Sequence, residues 1–253
     1  MSNKLVDKMR GAVPVAVSLV LLGAVATLVG FTAGEESEAR YAGLKVDVER
    51  IDGMFFVDEL TIRQAVWAVD SVAGSFVADV DLAEVTAAVA AIPAVKSLKV
   101  YPGLDRFLHV QVGQRRPVAR WHRLKAADGT PDLYIDDEGR TMPLSRHFTA
   151  RVPIIHAVDS AGAAAGMAWV RASQDDPVIA AFTDQILVDP KSRDLTLVPR
   201  IGRARVVVGD GADLALKWLK LSIFYREQIA RGNLNEFKQI RLDYDGQIVA
   251  TRY

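Results

Sequence analysis

The chain contains no cysteine among its 253 residues. Thiol catalysis, thiolate metal sites and disulfide staples are therefore excluded, and the absence is compatible with an oxidising compartment without proving one. It also has no excess of either charge, with 31 basic and 31 acidic residues. A phosphate backbone needs a basic excess or a concentrated basic stripe, so nucleic acid is not an expected ligand. Aromatic residues are scarce at 8%, yet half the residues are hydrophobic and the mean hydropathy is +0.14, which excludes a long disordered or collagen-like chain. The length allows two ordinary domains.

One stretch lacks charge altogether. Residues 12–32, AVPVAVSLVLLGAVATLVGFT, form a 21-residue uncharged run that would extend roughly 31 Å as a helix, close to the hydrocarbon thickness of a bilayer. Lys4, Lys8 and Arg10 precede it, and Glu35, Glu36 and Glu38 follow it. The spacing predicts a transmembrane helix over 12–32, a cytoplasmic tail over 1–11 and export of the remainder. A cleaved secretory signal is the competing reading, because Ala24-Val25-Ala26 has the small-x-small form of a cleavage site. The run continues past that site, which favours the anchor.

After a polar linker over 33–43, the alternation of residues 44–51 predicts a strand. Asp58 and Asp81 are placed to cap two amphipathic helices, with Leu60, Ile62, Ala65, Val66 and Val69 as the stripe of the first. Pro93 ends the second helix. Alternating runs over 96–101 and 106–112 then flank a Pro102-Gly103 turn and predict a hairpin. The order strand, helix, helix, strand, strand predicts a small α+β domain over 44–116. From Pro117 the pattern is mostly strand, at 118–124, 133–136, 152–158, 194–198 and 205–208, with flanking helices expected from Asp176-Pro177 through Ile186 and after Gly211. Trp169 falls in a glycine and alanine segment, 159–175, that reads as a loop. Asp245-Gly246 is a strong hairpin signal between runs 238–244 and 247–253, so a mostly antiparallel domain is expected over 117–253, ending in a hairpin.

Residue types that carry chemistry are dispersed. His109, His122, His147 and His156 lack the close spacing of metal ligands, and no serine lies in a G-x-S-x-G or S-x-x-K arrangement. Gly209-Asp210-Gly211 precedes a helix but lacks the lysine of a phosphate loop, so a tight turn is expected. Asp136, Asp137 and Glu138 are adjacent and cannot face each other across a sugar, which leaves them as solvated turn acids. These observations predict no catalytic residue, no cofactor, no metal and no small-molecule substrate, and hence a binding protein.

Several short motifs occur in order along the chain. Ile92-Pro93-Ala94-Val95-Lys96 and Lys99-Val100-Tyr101-Pro102 are followed by Gln114-Arg115-Arg116-Pro117-Val118-Ala119-Arg120-Trp121. Ile135-Asp136-Asp137-Glu138-Gly139, Met142-Pro143-Leu144 and the closing run from Lys238 to Val249 come next. Together with an anchor and a strand-helix-helix-strand-strand unit, they resemble the bacterial cell-division family FtsQ/DivIB, whose first exported domain is a POTRA domain and whose second is a β domain. The departures are glutamine for glutamate at the start of the Glu-x-x-Pro-Val-Ala-x-Trp junction and alanine for the aromatic of the Pro93 corner. The resemblance implies a single-pass inner-membrane protein of the division septum, linking early and late division proteins. It implies binding of FtsB-like and FtsL-like proteins, with septal wall synthases as further candidate partners. By position it assigns partner binding to Tyr244, Ile248, Val249, Ala250, Thr251, Arg252 and Tyr253 on a C-terminal strand edge. The alternative reading is a POTRA-containing accessory protein of envelope transport or outer-membrane assembly.

Overall fold

The computed structural model describes residues 21–23, 39–50, 53, 55–124, 130–146 and 148–253. The expected membrane span over 12–32 lies outside these, except for Leu21 to Gly23, which are helical. Among the described residues, no helix is long and apolar enough to cross a membrane. The chain divides into two compact units.

The smaller unit comprises residues up to 48, 59–91 and 97–112. Its sheet has the order β1-β3-β2, where β1 is Gly43–Glu49, β2 Val95–Pro102 and β3 Phe107–Gln114. Helices α1 (Glu59–Val69) and α2 (Leu82–Ala90) pack against each other. Asp81 caps α2 as expected, accepting hydrogen bonds from the amides of Ala83 (2.8 Å) and Glu84 (3.1 Å). Ile62 and Val66 of α1 and Val85 and Val89 of α2 are fully buried, each pair one helical turn apart. Leu108, Val110 and Val112 supply the buried alternate positions of β3. Leu60, expected in the stripe of α1, is instead 54% exposed. It lies beside Glu59 at the outer start of the helix, where the buried face is carried by Ile62 and Val66 alone.

The larger unit holds residues 49–58, 92–96 and 113–253. Its strands are β4 (Pro117–Arg123), β5 (Leu133–Asp136), β6 (Thr141–Pro143), β7 (Ile154–Ala157), β8 (Thr183–Val188), β9 (Leu195–Pro199), β10 (Arg205–Gly209), β11 (Phe237–Arg241) and β12 (Val249–Arg252). Among the described residues they form one nine-stranded sheet, ordered β12-β11-β10-β9-β8-β7-β4-β5-β6. The sheet is mixed rather than mostly antiparallel. β4 with β7, β7 with β8 and β10 with β11 run parallel, and the other neighbours run antiparallel. Parallel neighbours need long crossovers: α3 (Ser160–Ala172) lies between β7 and β8 and α5 (Leu214–Arg231) between β10 and β11, while the chain from β4 to β7 passes through β5 and β6. Ile155, Ile186, Leu197, Val206 and Ile240 form the buried face of the sheet, in one cluster with Trp169, Trp218 and Tyr225 of these helices.

Two further expectations are corrected here. The segment 159–175 is largely helix α3, and Trp169 within it is completely buried, edge-on to Trp218 with ring centroids 5.7 Å apart. Its small residues are required for packing, since a Cβ on Gly166 would lie 2.6 Å from Ile155 Cγ2. The helix expected from Pro177 to Ile186 stops after one turn, α4 (Pro177–Ala180), and the chain then becomes β8, paired on both sides with β7 and β9. Two neighbouring strands satisfy the backbone there and override the helical spacing of Ala181, Phe182 and Ile186.

Candidate functional site

The closing hairpin forms where Asp245-Gly246 predicts it, with Gly246 at φ +69° in the turn. Its strands are shorter than the alternating runs. β11 ends at Arg241 and β12 begins at Val249, with Gln239 opposite Thr251, Ile240 opposite Ala250 and Arg241 opposite Val249. β12 is the terminal strand of the sheet, so one edge of its backbone has no strand partner among the described residues.

The seven residues assigned to partner binding fall into two sets. Ile248 and Ala250 are half-buried and pack against the main core. Val249, Thr251, Arg252, Tyr253 and Tyr244 are exposed, Tyr253 at 75%. Alternation therefore points Val249 and Thr251 away from the core while Ala250 holds the strand to it. Around the hairpin, Arg241 Nε donates to Asp243 Oδ1 (3.1 Å) and its guanidinium lies 5.3 Å from the centre of the Tyr244 ring. The hydrogen bond from Arg241 holds the Asp243 carboxyl below the usual carboxylate range. Lys220 Nζ of α5 donates to the Tyr244 carbonyl (3.1 Å), and Arg252 lies over the Phe237 ring. Backbone pairing to a partner strand, with side-chain selection by Val249 and Thr251, is the chemistry such an edge can perform.

The groups weighed for catalysis are distributed as follows. His109 Nε2 lies 2.9 Å from Asp105 Oδ1 and stacks on Tyr101, and His147 lies outside the described residues. His122 and His156 stand opposite each other on the parallel strands β4 and β7, with ring centroids 5.1 Å apart. Sequence spacing conceals this pair. His122 Nδ1 lies 3.0 Å from Asp132 Oδ1, and Arg120 bonds the same carboxylate. Burial pushes the Asp132 carboxyl up, but hydrogen bonds from His122 and Arg120 outweigh it and leave the group below its ordinary value. Burial, then the neighbouring His122, lowers His156. Among the described residues no three potential ligands converge on a metal position. In the Gly209-Asp210-Gly211 turn, Lys217 Nζ occupies the Asp210 carboxylate at 2.8 Å.

Of the three turn acids, Asp137 and Glu138 are exposed as expected and Asp136 is not. Asp136 is fully buried, accepting from Arg115 Nη1 (2.8 Å) and the Arg140 amide (2.7 Å). Arg115 Nε also donates to the Pro93 carbonyl (3.1 Å). The glutamine that departs from the family junction has a reason in this fold. Gln114 Oε1 accepts from the amides of Phe56 (2.6 Å) and Val57 (3.1 Å), while its Nε2 donates to the Glu49 carbonyl (2.8 Å). An ionised glutamate could accept both bonds but could not donate the third.

A mixed sheet, covering helices and a terminal strand whose outer edge has no strand partner among the described residues define an α+β protein. The chain belongs to the FtsQ/DivIB C-terminal related family, whose model, described as FtsQ/DivIB, C-terminal related, matches residues 116–251. No curated protein matches the chain. Membership supports a division-related role, indicates partners among division proteins in general, and suggests a membrane protein of the division site.

Proposed function

We propose that this protein is a non-catalytic, membrane-anchored scaffold of the bacterial division machinery. Its first exported domain is POTRA-like, and it receives an extended segment of an FtsB-like protein, itself paired with an FtsL-like one, along the outer edge of β12. The observation that carries this reading is the unpaired edge of a strand whose Val249 and Thr251 are exposed while Ala250 packs inward. Strand addition at such an edge draws affinity from backbone hydrogen bonds and specificity from the alternate side chains.

The test is co-purification of the FtsB-like protein with the full chain from membranes. Val249→Glu combined with Thr251→Glu places two charges on the outward positions and should reduce capture about tenfold or more, equivalent to at least ~1.4 kcal/mol. Far-ultraviolet circular dichroism and localisation to the membrane should remain as in the parent chain. Undiminished capture by this variant would eliminate the edge as the site.

A further inference from the structure

The edge reading makes no use of the two imidazoles that meet in the interior of the large sheet. His122 and His156 are register partners on the parallel strands β4 and β7, so both rings project from one face of the sheet. It is the face turned away from the main core, because the preceding positions Trp121 and Ile155 pack into that core. His122 Nδ1 lies 3.0 Å from Asp132 Oδ1. An ionised carboxylate only accepts, so Nδ1 carries the proton of the neutral ring and the lone pair is left on Nε2. His156 Nε2 is buried and has no hydrogen-bond partner. A buried polar atom left alone calls for an explanation, and an absent ion is one of the few available. Asp132 is held in turn by Arg120 Nε at 2.7 Å, which fixes the carboxylate and balances its charge.

We propose that His122 and His156 bind one divalent transition-metal ion, zinc(II), through their Nε2 atoms. Imidazole nitrogens bind zinc at about 2.0–2.1 Å, which on a tetrahedral ion sets two ring centres roughly 5.2 Å apart. The centres here are 5.1 Å apart, with the ring planes inclined by 64°. A metal-bound histidine donates its other ring nitrogen to a carboxylate or carbonyl, which orients the ring towards the ion. Asp132 stands in that relation to His122. Among the described residues no third ligand converges, so water completes the coordination and the site is an open one. Two imidazoles suit zinc, nickel or copper(II), whereas calcium and magnesium take oxygen ligands. Burial and the neighbouring ring lower the pKa of His156, which keeps its lone pair available at neutral pH. His122, with a side chain 47% exposed, gives the ion a route from solvent. β7 is five strand spacings from β12, about 24 Å, so occupancy here is independent of the edge and of the reading built on it.

The test uses the full chain held in amphipol, stripped of metal with a chelator and dialysed. Isothermal titration with zinc chloride should show one equivalent bound, and zinc should raise the melting temperature. His122→Gln and His156→Gln should each raise the dissociation constant for zinc about tenfold or more, with circular dichroism unchanged in the absence of metal. His109→Gln, in the smaller unit, should leave it unaltered. A second measurement needs no variant of the half-buried His156. With one equivalent of copper(II), the electron paramagnetic resonance spectrum should show two coordinated imidazoles in the parent chain and one in His122→Gln. Absence of zinc binding, parental affinity in the double His122→Gln and His156→Gln variant, or fewer than two imidazoles on copper in the parent chain would overturn the proposal.

Discussion

The two ends of the nine-stranded sheet are finished in opposite ways. At one end β6 is three residues long and closes on Pro143, which has no amide hydrogen to offer another strand. Its turn is tied by Asp136, and Met142 is buried with Phe56 and Tyr134 in a separate cluster. Phe56 stands edge-on to both Tyr134 and Phe148, and the Tyr134 hydroxyl accepts from the Ala150 amide (3.0 Å). At the other end β12 has no such closure. Its Arg252–Glu236 contact is 3.5 Å long between side chains that are each more than half exposed, a geometry that contributes little. Edge strands invite unwanted pairing and are normally blunted. Both β6 and β12 end the sheet among the described residues, and the proposed strand addition rests on β12 being the less blunted of the two.

The comparison breaks most severely at the closed end. Removing Asp136 leaves the Arg115 guanidinium, whose side chain is 9% exposed, with only the 44% exposed Glu138 carboxylate at 3.3 Å. Asp136→Ala should therefore destabilise the larger unit by about 3–5 kcal/mol, the usual effect of deleting one member of a buried ion pair. The urea midpoint of the full chain reads this directly. A loss below about 1 kcal/mol would mean that the closed edge does not depend on this pair.

How much of this asymmetry is legible in the sequence depends on distance along the chain. The Asp-Gly turn, the Asp81 cap and most strands from β4 to β10 can be read locally, because alternation and capping depend on neighbours a few positions away. Helix α3 cannot, since Gly162, Ala163 and Gly166 present no large apolar stripe. The small size of Gly162 is explained by Arg193 and Ala157, and that of Gly166 by Ile155, against which they lie. β8 was equally hidden, because its residues also fit helical spacing until β7 and β9 arrive beside it. For the candidate edge the hairpin is legible, but the expected contact set joins the inward Ile248 and Ala250 to the outward Val249 and Thr251. That β12 ends the sheet is not legible, because strand order is a property of the assembled sheet. The His122–His156 pair and the Arg115–Asp136 pair are likewise products of non-local register.

A smaller effect belongs to the interior, on the third and fourth strands counted from β6. His156 is half-buried on β7, with His122 beside it, Asp132 and Arg120 beyond His122, and Gln185 of β8 on its other side. Burial and the neighbouring imidazole lower its pKa from 6.5. A histidine lowered in the folded state takes up its proton more readily when unfolded. Its contribution is therefore intact above the unfolded pKa and is lost as pH falls from about 7 towards 5. Asp132, also lowered, acts in the same direction but only below the ordinary carboxylate range. His156→Gln should flatten the fall in melting temperature between pH 7 and pH 5. An unchanged slope would show that His156 binds its proton equally in the folded and unfolded chain.

The smallest expected change in stability lies at the open edge, and its smallness is the informative result. Val249 and Thr251 point away from the core and β12 has no outer strand neighbour among the described residues, so a charge placed there keeps its hydration. Surface substitutions of this kind remain within about 0.5 kcal/mol of the parent chain. Val249→Glu and Thr251→Glu, each alone, should have parental urea midpoints. Ala250→Glu should be measurably less stable, because Ala250 is half-buried against the core cluster and a carboxylate there must be partly desolvated. If all three variants were equally destabilised, β12 would be packed on both faces, and the contrast between a closed and an open edge would fail. If only Ala250→Glu is affected, the alternation of β12 is that of a strand held by one face and available along its free edge.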